Sequence, residues 1–260
     1  MDKPTPTTGN TTLGASLRLL RLPNVFTAIA DVTMGFLFVQ NTLRPWEVFA
    51  LLALASVCLY LAGMVLNDVY DVEQDRRERP ERPIPAGEIS LASARCWGYA
   101  LLLAGVICGW LAPHLSEIKG ASLIRSGCVA TLLAACVVAY DALLKKTPVA
   151  PVLMGSCRFL NVLLGMSIGR TIAGPAYLFG FTTYQLVAAA AIGTYIAGIT
   201  WFARTEATIS RSGEDSESLL WLQRHETDEE FGPVGRVVPA DTTAASRQTV
   251  IWTLAGRNRI

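Results

Sequence analysis

Residues 67–90 read NDVYDVEQDRRERPERPIPAGEIS, and they follow directly on a long apolar run, residues 49–66. The segment carries three acids, Asp68, Asp71 and Asp75. Their spacing of i, i+3 and i+7 predicts that the three carboxylates share one face of a helix. Such carboxylates repel one another unless a cation lies between them. The pattern therefore indicates a cation-binding helix end next to an apolar segment of membrane length.

The chemistry of these side chains suits magnesium and a diphosphate. Mg²⁺ binds carboxylate oxygens, water and substrate phosphates, so Asp68, Asp71 and Asp75 are the predicted metal ligands and catalytic residues. Guanidinium groups bind phosphate oxygens through paired hydrogen bonds, and a basic cluster follows the acids. The cluster comprises Arg76, Arg77, Arg79 and Arg82. The alternative is an ordinary solvated loop, because charged residues commonly follow a transmembrane helix.

The composition is that of a polytopic membrane protein. The chain has 260 residues, of which 52% are hydrophobic, and its mean hydropathy is +0.38. Apolar segments long enough to cross a bilayer of about 30 Å lie at residues 23–40, 47–67, 91–112, 122–144, 149–169 and 177–203. We therefore expect an all-α transmembrane helical bundle with about six spans. The net charge of +1 argues against a nucleic-acid partner.

The motif NDxxDxxxD followed by RxxRPIPxG, which begins at Asn67, resembles the first aspartate-rich motif of the UbiA family of intramembrane prenyltransferases. Within that family the chain looks most like the EboC-like branch, and the resemblance runs from about residue 18 to about residue 210. It implies a UbiA-type bundle, which has about nine spans. It also implies a Mg²⁺-dependent enzyme that ionises a prenyl diphosphate and transfers the prenyl group to a lipophilic acceptor, with aromatic acceptors among the candidates.

The resemblance assigns further residues to the diphosphate pocket. Tyr140 and Lys145 match the family's tyrosine-then-lysine signature, in which the lysine contacts diphosphate. Arg21 and Asn24 match the basic and polar opening of the first helix, and Asn67 leads the acidic motif. The other predicted substrate-binding residues are Arg79, Arg82, Arg158, Asn161 and Glu206. For the lysine and for Arg21 the alternatives are a positive helix end and a snorkelling side chain.

Arg158 and Asn161 lie inside an apolar segment, residues 149–169, which is therefore expected to face the protein interior. An arginine near the middle of a membrane is costly and needs a partner. Asp141 and the diphosphate itself are the candidate partners. The alternative to a substrate-binding role is an ion pair that is purely structural.

The second acidic motif of the family is incomplete in this chain. Family members carry a DxxxD-type motif at the end of the sixth helix. The matching segment of this chain has a single acid on the corresponding helix face, Glu206, and the residues one turn before and after it are Phe202 and Ser210. Whether one or two Mg²⁺ ions bind is therefore left open.

Three regions are predicted. Residues 1–17 form a polar, disordered leader, residues 18–210 a UbiA-like transmembrane prenyltransferase domain, and residues 211–260 a polar tail without an apolar run of 18 residues. The tail stands where the resemblance implies the last helices. It is either a disordered cytoplasmic extension or, as we favour, the product of a shifted reading frame, and activity would be impaired without those helices. The second functional hypothesis is accordingly a non-catalytic UbiA-like protein that carries or scaffolds lipid precursors.

The distribution of Lys and Arg predicts the orientation. The N-terminus, the segment after Asn67 and the segment around Lys145 are rich in basic residues, whereas the intervening segments carry few. The positive-inside rule therefore places the N-terminus and the aspartate motif in the cytoplasm. Water-soluble diphosphate head groups and Mg²⁺ are available on that side.

Overall fold

The structure, a computed structural model, describes Leu19 and residues 25–116, 122–169 and 177–229. At 177–178 and 207–229 only the backbone is described. The predicted leader, residues 1–17, and two predicted site residues, Arg21 and Asn24, lie outside these ranges.

The described chain is mainly helical. Its α-helices are α1 Val25–Gln40, α2 Trp46–Tyr70, α3 Val72–Glu78, α4 Leu91–Leu111, α5 Arg125–Ala139, α6 Ala150–Met166 and α7 Thr183–Glu229. A 3₁₀-helix, Ala112–Leu115, extends α4, and a π-helical turn, Tyr140–Leu144, extends α5. A short antiparallel hairpin precedes α7, with β1 Tyr177–Leu178 paired to β2 Phe181–Thr182. In its register Tyr177 stands opposite Thr182.

Local sequence explains where several helices begin. Pro45 stands immediately before α2 in an extended conformation. Pro151 occupies the first turn of α6, where backbone N–H groups have no partner within the helix, so that the N–H missing from proline costs no hydrogen bond. The Ser90 hydroxyl caps α4 by accepting a hydrogen bond from the backbone N–H of Ser93 at 3.1 Å. Such a cap satisfies one of the free N–H groups of a first helical turn.

The apolar helices agree with the predicted apolar segments. Four stretches are long and apolar enough to cross a membrane, namely Trp46–Tyr70, Leu91–Leu115, Arg125–Leu144 and Thr183–Glu206. The other two, α1 and α6, are apolar but contain 16 and 17 residues, fewer than the roughly 20 that a full span needs. The helical fold class is thus confirmed. In the described residues, the six predicted spans correspond to four helices long enough to cross a membrane and two shorter ones.

The chain divides into two compact units, one ending at Thr205 and the other beginning at Glu206. The first unit contains the hydrophobic core and all the polar contacts described below. In the second, the backbone of α7 continues to Glu229, past the point where the apolar sequence ends. The predicted domain boundary and the nature of residues 211–260 stay predictions, and residues 230–260 lie outside the described ranges.

Helices α1 and α6 touch backbone to backbone. A Cβ atom at Gly35 would lie 2.2 Å from the carbonyl oxygen of Val162, and one at Gly165 would lie 2.2 Å from the carbonyl oxygen of Val32. No carbon atom fits at that distance from a backbone oxygen, so glycine is required at both positions. The close approach brings the polar residues of these two helices, described below, within reach of each other.

Gly35→Ala is expected to lower the free energy of unfolding by about 1–3 kcal/mol, the usual cost of overpacking a core. The added methyl group can be accommodated only if α1 and α6 separate. The matched control is Gly198→Ala on α7, because nothing lies within 4 Å of a Cβ atom there. Thermal unfolding of both purified variants in detergent would test this. Equal midpoints for the two variants would contradict the helix contact.

Arg125 closes one end of the bundle. It is the first residue of α5 and only 6% exposed. Its Nε donates to the carbonyl oxygen of Ser167 at 2.6 Å, and its two Nη groups donate to the carbonyl oxygens of Gly169 and Gly180. The guanidinium also lies 4.9 Å from the centre of the Phe181 ring. One side chain therefore joins the start of α5, the end of α6 and the hairpin.

Candidate functional site

The acid-rich segment is not one continuous helix. Helix α2 ends at Tyr70, and Asp71 adopts φ −89° and ψ 1° before α3 begins at Val72. The backbone bonds that flank the break are kept, from Asp71 N–H to the Asn67 carbonyl at 3.0 Å and from Asp75 N–H to the Asp71 carbonyl at 2.8 Å. Asp71 therefore departs from the helical arrangement that the spacing predicts, and the three acids divide into two groups.

Asp68 and Asp75 form the first group and share one arginine. Arg82 Nη1 donates to Asp68 Oδ1 at 3.1 Å and to Asp75 Oδ2 at 2.6 Å. Both aspartates are only 4% exposed. The loop that carries Arg82 folds back on the bundle because Ile84 and Ile89 are buried in a small apolar cluster at the end of α2. The predicted phosphate-binding arginine thus pairs with two of the three predicted metal ligands and balances one of their two negative charges.

Asp71 forms the second group with two residues that the sequence predicted for the same pocket. Lys145 Nζ donates to Asp71 Oδ2 and to Asn67 Oδ1 at 2.6 Å. The lysine is held by the π-helical turn after α5, where its backbone N–H donates to the Tyr140 carbonyl at 2.9 Å. Two motifs that are far apart in sequence therefore meet at one point.

The remaining arginines of the basic cluster point away from the acids. Arg76 and Arg77 pair with Glu73 on α3, at 3.1 Å and 3.4 Å, and the three side chains are 59–78% exposed. Arg79 is exposed as well. A carboxylate on the same helix thus holds Arg76 and Arg77 at the surface, and the phosphate-binding role of the cluster stays a prediction.

A largely apolar cavity of about 270 Å³ opens beside this group, between α1, α2, α5 and α6. Asn67, which binds Lys145, also lines the cavity and so connects it to the acid-rich helix end. Tyr140 and Asp141 lie in its wall, and Arg158 and Asn161 supply further polar lining from α6. The prediction that α6 faces the interior is confirmed.

The partner of Arg158 is Asp31 on α1, and not Asp141, which was one of the two candidates along with the diphosphate. Arg158 Nη1 donates to Asp31 Oδ2 at 2.7 Å, and Nη2 donates to the Thr27 hydroxyl at 2.7 Å. The two charged side chains are 19% and 15% exposed. The close contact of α1 and α6 accounts for the pairing, since it brings Asp31 within hydrogen-bond distance of Arg158.

Asn161 extends the ion pair into a polar network. Its Nδ2 donates to the Ala28 carbonyl oxygen at 3.0 Å and to Asp31 Oδ2 at 3.3 Å. Its Oδ1 accepts a hydrogen bond from the Ser56 hydroxyl at 2.7 Å. Asn161 and Ser56 are buried, and the network joins α1, α2 and α6 along one wall of the cavity.

The sequence reasoning missed Asp31 and Ser56. A signal for Asp31 was available, because it is an acid inside an apolar segment, residues 23–40, and such residues usually face the interior and pair with another group. Ser56 gives no comparable signal, since a serine in an apolar helix can bond to its own backbone.

The carboxylates fit magnesium in their chemistry but are held apart. Asp68, Asp71 and Asp75 offer the oxygen ligands that Mg²⁺ prefers. Across the described ranges, however, no three His, Cys, Asp or Glu side chains are grouped closely enough to hold a metal together, because Arg82 and Lys145 divide the three acids. Glu206, the remaining predicted acid, is exposed and belongs to the second compact unit.

The apolar helices, the interior ion pair and the largely apolar cavity beside an acid-rich helix end define a multi-pass integral membrane protein with an internal pocket. A family model for the UbiA prenyltransferase family matches residues 28–211. The chain belongs to the UbiA prenyltransferase family, as the aspartate-rich motif predicted, and its branch within the family stays a prediction.

Archaeal proteins are among its relatives. A digeranylgeranylglyceryl phosphate synthase of Methanoculleus marisnigri is 30% identical over 203 residues, which is 78% of this chain and 63% of the relative. A protein of the same name from Saccharolobus solfataricus is 37% identical over 94 residues, covering 36% of this chain and 33% of the relative. This chain thus spans less than two thirds of the length of these relatives.

A solved structure of digeranylgeranylglyceryl phosphate synthase in membranes has a similar fold. It matches with a TM-score of 0.57 and 24% identity over 72% of this chain and 60% of that one.

Proposed function

We propose that this protein binds a prenyl diphosphate with Mg²⁺ at the acid-rich helix end and transfers the prenyl group to a lipophilic acceptor. The observation that carries the proposal is the convergence of Asn67, Asp71 and Lys145 beside an apolar cavity. Acids for a metal, a cation for phosphate and an apolar space for a hydrocarbon chain are thereby adjacent. Family membership and the names of the relatives support the same assignment.

In this proposal Asp68, Asp71 and Asp75 would hold magnesium, and Lys145 and Arg82 would bind phosphate oxygens. Magnesium bound there would neutralise the charge that develops on the leaving diphosphate. Lysine and arginine donate charge-assisted hydrogen bonds to phosphate, which are roughly twice as strong as neutral ones. Both cations already lie against the acids, so they are positioned before the substrate arrives.

The cavity supplies the second requirement, which is exclusion of water. Loss of diphosphate from an allylic carbon leaves a cation that water would capture, and an apolar enclosure prevents this side reaction. The walls beside Asn67 include Leu59, Met64, Leu133 and Val137. The relatives' name makes geranylgeranyl chains a candidate donor and a glycerol-based lipid a candidate acceptor. We further propose that the helix end faces the cytoplasm, on the charge distribution given above.

Purified full-length protein in detergent is expected to bind radiolabelled geranylgeranyl diphosphate in the presence of Mg²⁺ and to lose binding when a chelator is added. Glu47→Gln provides a matched control, since Glu47 is exposed at the start of α2. Binding that is indifferent to the chelator would overturn the magnesium site. Binding without conversion of any acceptor would favour the alternative, a lipid carrier.

A further inference from the structure

Asp141 is a buried acid in the cavity wall that none of the pairs described above neutralises. It lies in the π-helical turn after α5 and is 8% exposed. Its side chain lines the cavity. Among the residues whose side chains the structure describes, none makes a hydrogen bond or an ion pair with its carboxylate. Arg158, the partner expected from the sequence, is bound to Asp31 instead.

A buried carboxylate of this kind calls for a hydrogen-bond donor. Burying a charge costs a great deal of free energy unless it is paired and hydrogen-bonded. The open side of Asp141 is the cavity itself, so a molecule that occupies the cavity can supply the hydrogen-bond donor. Asp141 also lies within electrostatic range of Lys145, Asp71 and Asp68. A ligand held at Asp141 is therefore close to the proposed diphosphate.

The charges in the wall limit the chemistry of that ligand. An anionic head group would be repelled by Asp141 and would find no unbalanced cation at Arg158, because Asp31 neutralises it. A carboxylate accepts hydrogen bonds and donates none, so the ligand must carry an O–H or N–H group. The rest of the lining is mainly apolar and includes Leu133 and Met154. A neutral lipid with a hydroxyl group meets all of these conditions.

We propose that Asp141 binds the hydroxyl group of the acceptor and takes its proton during prenyl transfer. The inference rests on the proposed function and names the acceptor class and a catalytic residue for it. In the step, the acceptor oxygen forms a bond to C1 of the prenyl chain. The bond between C1 and the diphosphate oxygen breaks, and its electron pair leaves with pyrophosphate. The hydroxyl proton passes to the Asp141 carboxylate.

Two substitutions separate binding from proton transfer. Asp141→Asn keeps an oxygen that accepts a hydrogen bond but cannot take the proton, whereas Asp141→Leu removes both abilities. The acceptor probe is tritiated 1-O-hexadecylglycerol, competed by its unlabelled form or by its dimethyl ether. The measurements use the full-length purified chain with geranylgeranyl diphosphate and Mg²⁺. Glu47→Gln serves again as the charge-matched control.

For wild type we expect unlabelled 1-O-hexadecylglycerol to displace the tritiated probe about 10-fold better than its dimethyl ether does. The dimethyl ether lacks the hydroxyl groups and so loses a hydrogen bond to a charged group. Asp141→Leu should lose that preference. Asp141→Asn should keep a smaller preference, because its amide oxygen is a neutral acceptor, and should slow the transfer by about 100-fold, within the range for general-base catalysis. All variants should bind geranylgeranyl diphosphate as wild type does, and thermal unfolding midpoints confirm that they are folded.

A transfer rate in Asp141→Asn equal to that of wild type would overturn the proposal. Equal displacement of the probe from wild type by 1-O-hexadecylglycerol and by its dimethyl ether would overturn it as well. Loss of geranylgeranyl diphosphate binding in both variants would instead place Asp141 in the diphosphate site and would also overturn it. The competition needs no turnover. If wild type fails to bind the diphosphate, the proposed function fails, while the comparison of ethers in wild type and Asp141→Leu still decides whether Asp141 binds a hydroxyl group.

Discussion

Replacing Asp71 by asparagine is expected to abolish magnesium-dependent binding of a prenyl diphosphate. Asp71 is the acid that lies against Lys145 and Asn67 beside the cavity. The substitution removes a metal ligand and leaves Lys145 without its ion-pair partner. An interaction that involves a charged group contributes about 1.5–3 kcal/mol, so loss of the contact between the Asp71 carboxylate and the metal is expected to lower the affinity by at least roughly 10-fold to 150-fold.

The measurement is a titration of geranylgeranyl diphosphate against purified protein, with and without Mg²⁺. Glu73→Gln is the matched control, since it removes one negative charge two residues away on the exposed side of α3, where Glu73 pairs only with Arg76 and Arg77. The control should bind as wild type does. If Asp71→Asn and Glu73→Gln bind equally well, the acid-rich helix end is not the diphosphate site.

Breaking the interior ion pair is expected to have the second large effect. Asp31→Asn or Arg158→Leu leaves one charge in the bundle without its partner. Removing one member of a buried pair costs about 3–5 kcal/mol, and we expect the lower end of that range because the two side chains are 15% and 19% exposed. Asp31→Asn also weakens the support of Asn161, which donates to the same Oδ2 atom as Arg158.

A double substitution distinguishes a pair from two independent residues. Asp31→Asn combined with Arg158→Leu removes both charges, and loss of a whole buried pair costs far less stability than loss of one member. The double variant should therefore recover most of the stability lost in either single one, which thermal unfolding in detergent would show. The exposed pair of Arg76 and Glu73 is the comparison, because surface pairs contribute about 0–1 kcal/mol. Additive losses in the double variant would show that the two charges do not interact.

The helices and the acid-rich segment were predictable because their signals are local. An apolar run of membrane length forms a helix whatever it packs against, since a backbone in lipid must bond within its own segment. The motif after Asn67 and the pair Tyr140 and Lys145 each occupy a few residues, so the sequence displays them directly. Their convergence, which the family resemblance implied, is found in the contact of Lys145 with Asp71 and Asn67.

The pairing of the interior charges could not be predicted in the same way. Arg158 and Asp31 are separated by 127 residues, and their contact depends on how closely α1 and α6 approach. That approach depends in turn on Gly35 and Gly165, whose role is invisible until the helices are placed side by side. The break at Asp71 was missed because regular helical spacing assumes an uninterrupted helix, whereas α2 ends at Tyr70 and α3 begins at Val72.

The contacts of Arg125 carry a consequence for how the sequence can evolve. Its three hydrogen-bond acceptors are main-chain oxygens, of Ser167, Gly169 and Gly180, and every amino acid supplies such an oxygen. For these hydrogen bonds, the side chains at the three acceptor positions can therefore change without loss of the contact. Arg125 cannot be replaced in the same way, since a lysine ammonium lacks the planar fork of donors. The contact that closes this end of the bundle thus depends on the identity of one residue, and a substitution of Arg125 could not be compensated by substitutions at the acceptor positions.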